Sequence, residues 1–229
     1  MQSKRQECAA QKGKRHFSQG VNFYKLVWLY ALGGLAGFLI EIVWCYHVYG
    51  VLEWHSAMAF TPFNPIYGAG AVVLFLGLRG MKKNNVLIIF LFSAAAGTLI
   101  ELLASYFQEY FFHSYSWDYA HLPYNFEGRI CLGMTAGWGL LGVAWVWLLS
   151  PALEKVLSFV PQKFGKVMAV LLVFVIVADA TVTVGAMSRW LERRAEIPPG
   201  GELDLFFDRF FPDARMQFMF PRIKFFEKG

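Results

Sequence analysis

Long apolar runs, separated by short polar segments, occupy most of the chain. We predict five membrane-spanning helices in these runs, at about residues 26–47, 65–78, 86–111, 130–149 and 167–187. About twenty apolar residues in a helix cross roughly 30 Å of hydrocarbon. The second run is shorter than that, so we expect its start to be re-entrant or partly unwound. The pattern therefore predicts an all-α polytopic membrane protein.

Two parts of the chain repeat each other. Residues 36–41 read Ala-Gly-Phe-Leu-Ile-Glu, and residues 96–101 read Ala-Gly-Thr-Leu-Ile-Glu. A Pro-aromatic-Asn triplet follows each of them, at residues 62–64 and 123–125. The repeating unit is predicted to be a helix, an outside loop and a returning helix. Because each unit contains two spans, both units insert the same way, and we expect a pseudo-two-fold axis along the membrane normal.

This organisation divides the chain into four segments. They are a basic cytoplasmic arm at 1–24, a four-helix repeat core at 25–151 (repeats about 26–79 and 86–150), a cytoplasmic loop with the fifth helix at 152–188, and an amphipathic C-terminal tail at 189–229. The tail either lies in the membrane interface, as amphipathic segments do, or packs against the helix bundle. Its mixed charges leave both arrangements open.

Composition and charge agree with a membrane location. Hydrophobic residues make up 57% of the 229 residues and charged residues 16%, whereas soluble domains have about 45–50% and about 25%. The basic residues behind the net charge of +5 are concentrated in the arm and in the loops at 79–85 and 151–166, while 48–61 holds no Lys or Arg. The positive-inside rule therefore predicts a cytoplasmic N-terminus, and the positive charge is not a nucleic-acid signal.

Each repeat places one glutamate deep inside an apolar run. A charge at the bilayer centre costs about 2.5–3.5 kcal/mol on insertion scales. Glu41 and Glu101 lie about fifteen residues beyond the cytoplasmic start of their helices, or roughly 22 Å, which is the outer half of the bilayer. One turn earlier stand Gly37 and Gly97, and small residues mark the face on which membrane helices pack. The sequence therefore predicts a two-fold polar cavity built on paired glutamates.

Other polar and aromatic residues are predicted to join this substrate-binding site. They are Asn64, Asn125, Tyr67, Trp117, Asp118, Tyr119 and Arg129. We expect both asparagines at the depth of the glutamates, and we expect Arg129 to pair with Asp118 or with either glutamate. The alternative is that these groups are structural and only join helix to helix. Asp179, in the fifth predicted helix, stays open between a structural and a functional role.

The sequence contains no recognised catalytic motif, and we expect no cofactor or metal. The three cysteines and the histidines show neither metal-ligand spacing nor a disulfide framework. No Walker P-loop is present, so any ATPase that acts with the chain must be a separate subunit.

Several of these motifs resemble a known bacterial family. The stretches 37–41, 62–70, 117–119 and 125–132 are similar to the ABC-transporter type IV family, the CmpB-like proteins labelled as permeases. The likeness covers about residues 30–151 and leaves the fifth helix and the tail outside. It implies a multi-pass protein of the bacterial inner membrane, and it carries over no substrate or catalytic residue.

Three functions remain in view. The first is a transport protein, a permease or a substrate-capture subunit, in which paired carboxylates beside aromatic rings bind a cation, an organic amine or protons. Its partners would be membrane lipid and either a shared ATPase or a second copy of the chain. The second is a membrane-embedded enzyme acting on a lipid or lipid-linked substrate at the outer leaflet. The third is a structural or regulatory membrane partner, for which both glutamates would be dispensable.

Overall fold

The protein is almost entirely helical. The computed structural model describes residues 16–54, 57–83 and 85–226, so most of the predicted basic arm lies outside the described residues. The helices are α1 (Phe23–Tyr49), α2 (Pro65–Gly77), α3 (Val86–Phe112), α4 (Leu132–Ala144), α5 (Ser150–Ser158), α6 (Gln162–Arg194), α7 (Glu202–Phe210) and α8 (Asp213–Met219). A π-helical segment, Trp145–Leu149, joins α4 and α5 into one helix of 27 residues.

Short strands occur only in the connections of the described part. They are β1 (Ser114–Tyr115), β2 (Asn125–Phe126), β3 (Ile130–Cys131) and β4 (Lys224–Phe225). Strand β1 pairs with β4, and β2 pairs with β3, both antiparallel. The first pairing joins the loop after α3 to the C-terminal tail.

Four helices of the described chain are long and apolar enough to cross a membrane: α1, α3, the joined α4–α5 and α6. Their large apolar side chains are exposed, including Val43, Leu148 and Phe174 at 68%, 66% and 73%, and this surface requires lipid around it. The second predicted span corresponds to α2, which has only 13 residues. At 1.5 Å per residue it is about 20 Å long and does not cross the hydrocarbon alone.

Helix α2 packs antiparallel along the first half of α1. At the start of α1, the Lys25 ammonium lies 4.4 Å from the centre of the Phe75 ring, near the end of α2. Further along, Gly33 faces Ala71 so closely that a side chain at Gly33 would overlap it. Helix α2 therefore begins at the level of the middle of α1. Helices α3 and α4 form a similar antiparallel pair, in which Gly142 lies against Ser93.

Two buried clusters hold the helices together at opposite ends. One lies beside the start of α1 and the end of α2, and it contains Leu29, Ala71, Leu74, Ile89 and Trp145. The other joins the end of α3, the end of α6 and the tail, and it contains Phe112, Trp190, Phe207, Phe211 and Met216. Of the two arrangements left open for the tail, the structure has the second: α7 and α8 pack against the bundle.

The ends of the helices define two faces. The face called here the arm face contains His16, whose Nε2 hydrogen-bonds the carbonyl of Val160 at 2.9 Å, and Trp28, whose indole donates to the carbonyl of Gly165 at 2.9 Å. The opposite face, called here the tail face, contains strand β1 and the tail. The chain therefore enters α1 at one face and leaves α6 at the other.

Candidate functional site

Glu41 lies on α1 and shares a hydrogen bond with the first turn of α2. The hydroxyl of Tyr67 donates to Oε1 of Glu41 at 2.7 Å. One turn before Glu41, a side chain at Gly37 would overlap the ring of Tyr67. Glycine at this position therefore leaves the space through which the tyrosine reaches the carboxylate.

Glu101 has a similar setting on α3. The hydroxyl of Tyr119, in the loop before α4, donates to Oε1 of Glu101 at 3.1 Å. One turn before Glu101, a side chain at Gly97 would overlap the indole of Trp138, which α4 contributes. Beside this contact, the hydroxyls of Thr98 and Thr135 join α3 to α4 at 2.8 Å.

The two settings meet at the centre of the bundle. The rings of Tyr67 and Trp138 lie 5.9 Å apart between centroids, and the Glu41 and Glu101 carboxylates interact electrostatically. Burial raises the pKa of the Tyr119 phenol, and the charge of Glu101 and, more weakly, that of Glu41 raise it further. The Tyr119 phenol is therefore a neutral hydrogen-bond donor at physiological pH, and the structure brings four of the predicted residues to one site.

One oxygen of this site is incompletely satisfied. Oε2 of Glu101 is buried and makes no hydrogen bond of good geometry within the described residues, although the Trp138 side chain acts on this carboxylate as a hydrogen-bond donor. A buried polar group left unsatisfied costs about 1–3 kcal/mol, and more if it is charged. A proton or a further donor would complete the hydrogen bonding of this oxygen.

Asn64 is a helix cap. Its Oδ1 accepts the backbone N–H of Ile66 at 3.0 Å, and Pro65 follows it as the first residue of α2, which is a typical helix start. Its own N–H donates to the carbonyl of Gly34 at 3.1 Å. Asn64 therefore joins the start of α2 to α1, and the structure shows no contact from it to either glutamate.

Asn125 belongs to the loop that presents Tyr119. Its side chain is exposed; Nδ2 donates to the carbonyl of Leu122 at 2.7 Å, and Oδ1 accepts the N–H of Gly128 at 3.1 Å. The carbonyl of Gly128 in turn accepts the N–H of Tyr119 at 2.8 Å. Asn125 therefore shapes the loop that presents Tyr119 and makes no contact with the carboxylates.

Trp117 and Asp118 stabilise the same loop. The indole of Trp117 donates to the carbonyl of Arg129 at 2.8 Å, and Oδ1 of Asp118 accepts the N–H of Ala120 at 2.8 Å. Both contacts are local, and both flank Tyr119. These residues hold the tyrosine in place, and the structure shows no contact from them to either glutamate of the pair.

The sequence predicted that Arg129 pairs with Asp118 or with either glutamate of the site, but in the structure Arg129 has other partners. Its guanidinium forms ion pairs with Glu109 and, at 3.1 Å, with Glu127, and it lies 4.2 Å from the centre of the Tyr106 ring. Glu109 lies two turns beyond Glu101 on α3, toward the tail face. The arginine therefore closes the loop onto the tail-face end of α3.

Two important residues were absent from the predicted site. Trp138 was missed because no polar motif surrounds it, although the small residue Gly97 on the facing helix indicated a close contact. Asp179 is buried, and its oxygens accept the N–H groups of Ala59, Phe60 and Thr61 at 2.7–3.3 Å. This carboxylate satisfies non-helical backbone before α2, which settles the open question about Asp179 in favour of a structural role.

Among the described residues, no group of three or more His, Cys, Asp or Glu side chains is positioned to hold a metal ion. The two carboxylates of the site are accompanied by the phenols of Tyr67 and Tyr119 and by the indole of Trp138.

Long apolar helices around a pair of partly buried carboxylates define a polytopic α-helical membrane protein. The family model described as "Putative ABC-transporter type IV" matches residues 28–184, well over half of the chain, and the chain belongs to this family. The match confirms the resemblance seen in the sequence, and it extends past residue 151 to include most of α6. Together with the apolar helices, it indicates a membrane transport protein. No curated protein and no solved structure matches the chain.

Proposed function

We propose that the chain is the membrane-embedded permease or substrate-capture subunit of a transporter, and that it binds a cationic organic molecule, such as an amine, between Glu41 and Glu101. The observation that carries this proposal is the buried Oε2 of Glu101, which makes no hydrogen bond of good geometry within the described part of the chain. Ionisable residues inside a membrane usually mark a substrate or ion pathway. An ammonium group would supply the missing donor and balance the charge.

The surroundings of the two carboxylates favour a cation with an organic body. Two carboxylates in a low dielectric do not both ionise easily, so a cation that binds between them removes a repulsion. The phenols of Tyr67 and Tyr119 already donate to one oxygen of each glutamate. The ring of Trp138 stands beside Tyr67, and aromatic faces attract ammonium groups.

We also propose that the two helix pairs are structural repeats around this site. In α1 and α2, Gly37 faces Tyr67; in α3 and α4, Gly97 faces Trp138. One turn toward the arm face, each pair again has a close contact of small residues. This matching order supports a pseudo-two-fold relation along the membrane normal, with residues 57–64 and α2 together forming the second of five crossings.

In the cell, we propose that the chain lies in the bacterial inner membrane with its N-terminus in the cytoplasm. The family is that of an ABC transporter, so the natural partner is a separate ATPase subunit. A second copy of the chain is the other way to complete a pathway. The glutamates would then face substrate that arrives from the outside, because both lie in the halves of α1 and α3 nearer the tail face.

The test is ligand-induced thermal stabilisation of the purified chain across a panel of organic amines, neutral analogues and alkali cations. Wild type, Glu41→Gln, Glu101→Gln and the double variant are compared, with Glu202→Gln as a control that makes the same chemical change at an exposed position outside the bundle. We expect one class of amine to raise the melting temperature of wild type and of Glu202→Gln, and each glutamine variant of the pair to lose the shift.

Variants of the two phenols separate binding from folding. Tyr67→Phe and Tyr119→Phe keep the rings but remove the hydroxyls, so they should weaken ligand binding less than the loss of either carboxylate does. If no amine stabilises wild type, or if Glu101→Gln binds as wild type does and is only more stable, the glutamates join helices and the proposal fails.

A further inference from the structure

A second polar pocket lies at the arm face, far from the glutamate pair. It has a volume of about 390 Å³ and lies between the segment before α1, the first turn of α1, the turn after α2 and the first turns of α6. Its polar lining consists of His16, Gln19, Asn22, Tyr24, Arg79 and Lys166. The pocket is open to the surface at the level where α1 and α6 begin.

The described residues that line this pocket carry only positive charge. Arg79 and Lys166 line it, no aspartate or glutamate among the described residues does, and neither cation forms an ion pair with any residue that the structure describes. The Lys166 ammonium lies 5.3 Å from the centre of the Tyr24 ring. Two unpaired cations that converge on one concave surface leave room for an anion.

The wall of the pocket is held in place by contacts within the chain. Both ring nitrogens of His16 are engaged, one with Ser18 at 2.7 Å and the other with the carbonyl of Val160 at 2.9 Å. The Asn22 amide donates to the carbonyl of Phe17 at 2.6 Å, and the Phe17 side chain is 2% exposed against Gly165. The segment therefore forms a fixed frame, and Arg79 and Lys166 remain available to a ligand.

We propose that this pocket binds the phosphate group of an anionic membrane lipid. A phosphate oxygen accepts hydrogen bonds from a guanidinium and an ammonium at the same time. The pocket opens where the apolar surfaces of α1 and α6 begin, and the exposed side chains of Phe164 and Val167 continue from it along α6. Acyl chains would lie on that surface, as they do where basic pockets between membrane helices bind lipid head groups.

The test uses the full chain in detergent and measures bound lipid by native mass spectrometry. Phosphatidylglycerol competes with phosphatidylcholine, which also has a phosphate but no net charge. We expect wild type to prefer phosphatidylglycerol by up to roughly thirtyfold, since each of the two basic side chains near a membrane contributes about fivefold. The double variant Arg79→Gln, Lys166→Gln should lose this preference.

Lys163→Gln is the matched control, because Lys163 is an exposed lysine one turn from Lys166 and does not line the pocket. It should keep the wild-type preference. A second arm adds millimolar inorganic phosphate and follows thermal stability. Stabilisation by phosphate that the double variant loses, without any lipid preference, would show a soluble phosphate as the occupant and overturn the membrane source. Equal binding of both lipids and no phosphate effect would overturn the site altogether.

Discussion

At the scale of single residues, Glu41 and Glu101 stand out in the sequence because a carboxylate in hydrocarbon costs free energy. The glycines one turn before them indicate close contacts between helices. The sequence did not indicate which side chains fill those contacts. The partners Tyr67 and Tyr119 were predicted, but their roles as direct hydrogen-bond donors depend on where α2 begins and how the next loop folds.

Gly97 offers a sharp test of the close contact between α3 and α4. In Gly97→Ala, the new methyl group would overlap the indole of Trp138, so we expect a loss of about 1–3 kcal/mol in the free energy of unfolding. Gly137→Ala is the control, because a side chain at this helical position meets no atom within 4 Å. It should leave stability unchanged or raise it by up to about 1 kcal/mol. Equal effects in thermal unfolding would contradict the packing described.

At the scale of elements, α2 shows what local pattern misses. The apolar run after Pro65 correctly predicted a short helix, and its expected unwound start is present as the non-helical segment 57–64. The stabilisation of that segment comes from α6, more than one hundred residues later in the chain. Irregular backbone among membrane helices is tolerated only where protein groups satisfy it. The isolated Asp179 in α6 therefore indicated a buried hydrogen-bond acceptor, but the sequence did not show which backbone groups donate to it.

Asp179→Ala should destabilise the protein strongly, because it leaves the N–H groups of Phe60 and Thr61 and the hydroxyl of Thr61 without their acceptor, while the N–H of Ala59 keeps only Thr183. At about 1–3 kcal/mol for each buried unsatisfied group, the loss is expected to be at least about 3 kcal/mol. Asp179→Asn keeps one acceptor oxygen and should lose less. Thermal unfolding in detergent measures both. A ranking with the asparagine variant as unstable as the alanine variant would contradict the role of Asp179 as a hydrogen-bond acceptor.

The C-terminal tail is held to the end of α6 by ion pairs whose contribution to stability depends on pH. Hydrogen bonds from Arg189, at 2.9 Å, and from Arg193, at 2.8 Å, lower the pKa of Asp208. Because the folded pKa lies below the unfolded value of about 3.9, this stabilisation is fully present above that pH and is lost as the pH falls through the folded pKa. The stability difference between wild type and Asp208→Asn should therefore be constant from pH 7 to about pH 5 and shrink below about pH 4.

Thermal unfolding of both proteins across this range measures the effect. Arg209→Gln, which removes a charge from the same helix without touching the Arg189–Asp208–Arg193 contacts, is the control for changes of charge in α7. A difference for Asp208→Asn that stays constant down to pH 3 would mean that Asp208 is not held by the two arginines.

At the scale of the whole molecule, the apolar runs predicted a bundle of membrane helices, but only the structure shows where the tail packs. Its charges are mixed, so neither the positive-inside rule nor amphipathicity assigns it a place. In the structure, the Phe207 and Met216 side chains are buried with Trp190 of α6, and strand β4 pairs with β1 after α3. Apolar surface on short helices was visible in the sequence, but the groove that receives it is built from three distant segments.

The two faces of the bundle make a prediction about membrane sidedness. If the chain crosses the membrane an odd number of times with its arm face in the cytoplasm, the tail lies outside. In a background with Cys8, Cys45 and Cys131 replaced by serine, Lys163→Cys and Phe218→Cys each add one exposed thiol, at the arm face and on the tail. A membrane-impermeant maleimide added to intact cells should label Phe218→Cys and leave Lys163→Cys unlabelled until the cells are opened. Labelling of Lys163→Cys but not of Phe218→Cys in intact cells would place the arm face outside, and the glutamate pair, which lies nearer the tail face, would lose the outer access that the proposed transport requires. Because α6 alone separates the two positions, labelling of both or of neither would mean that α6 does not cross.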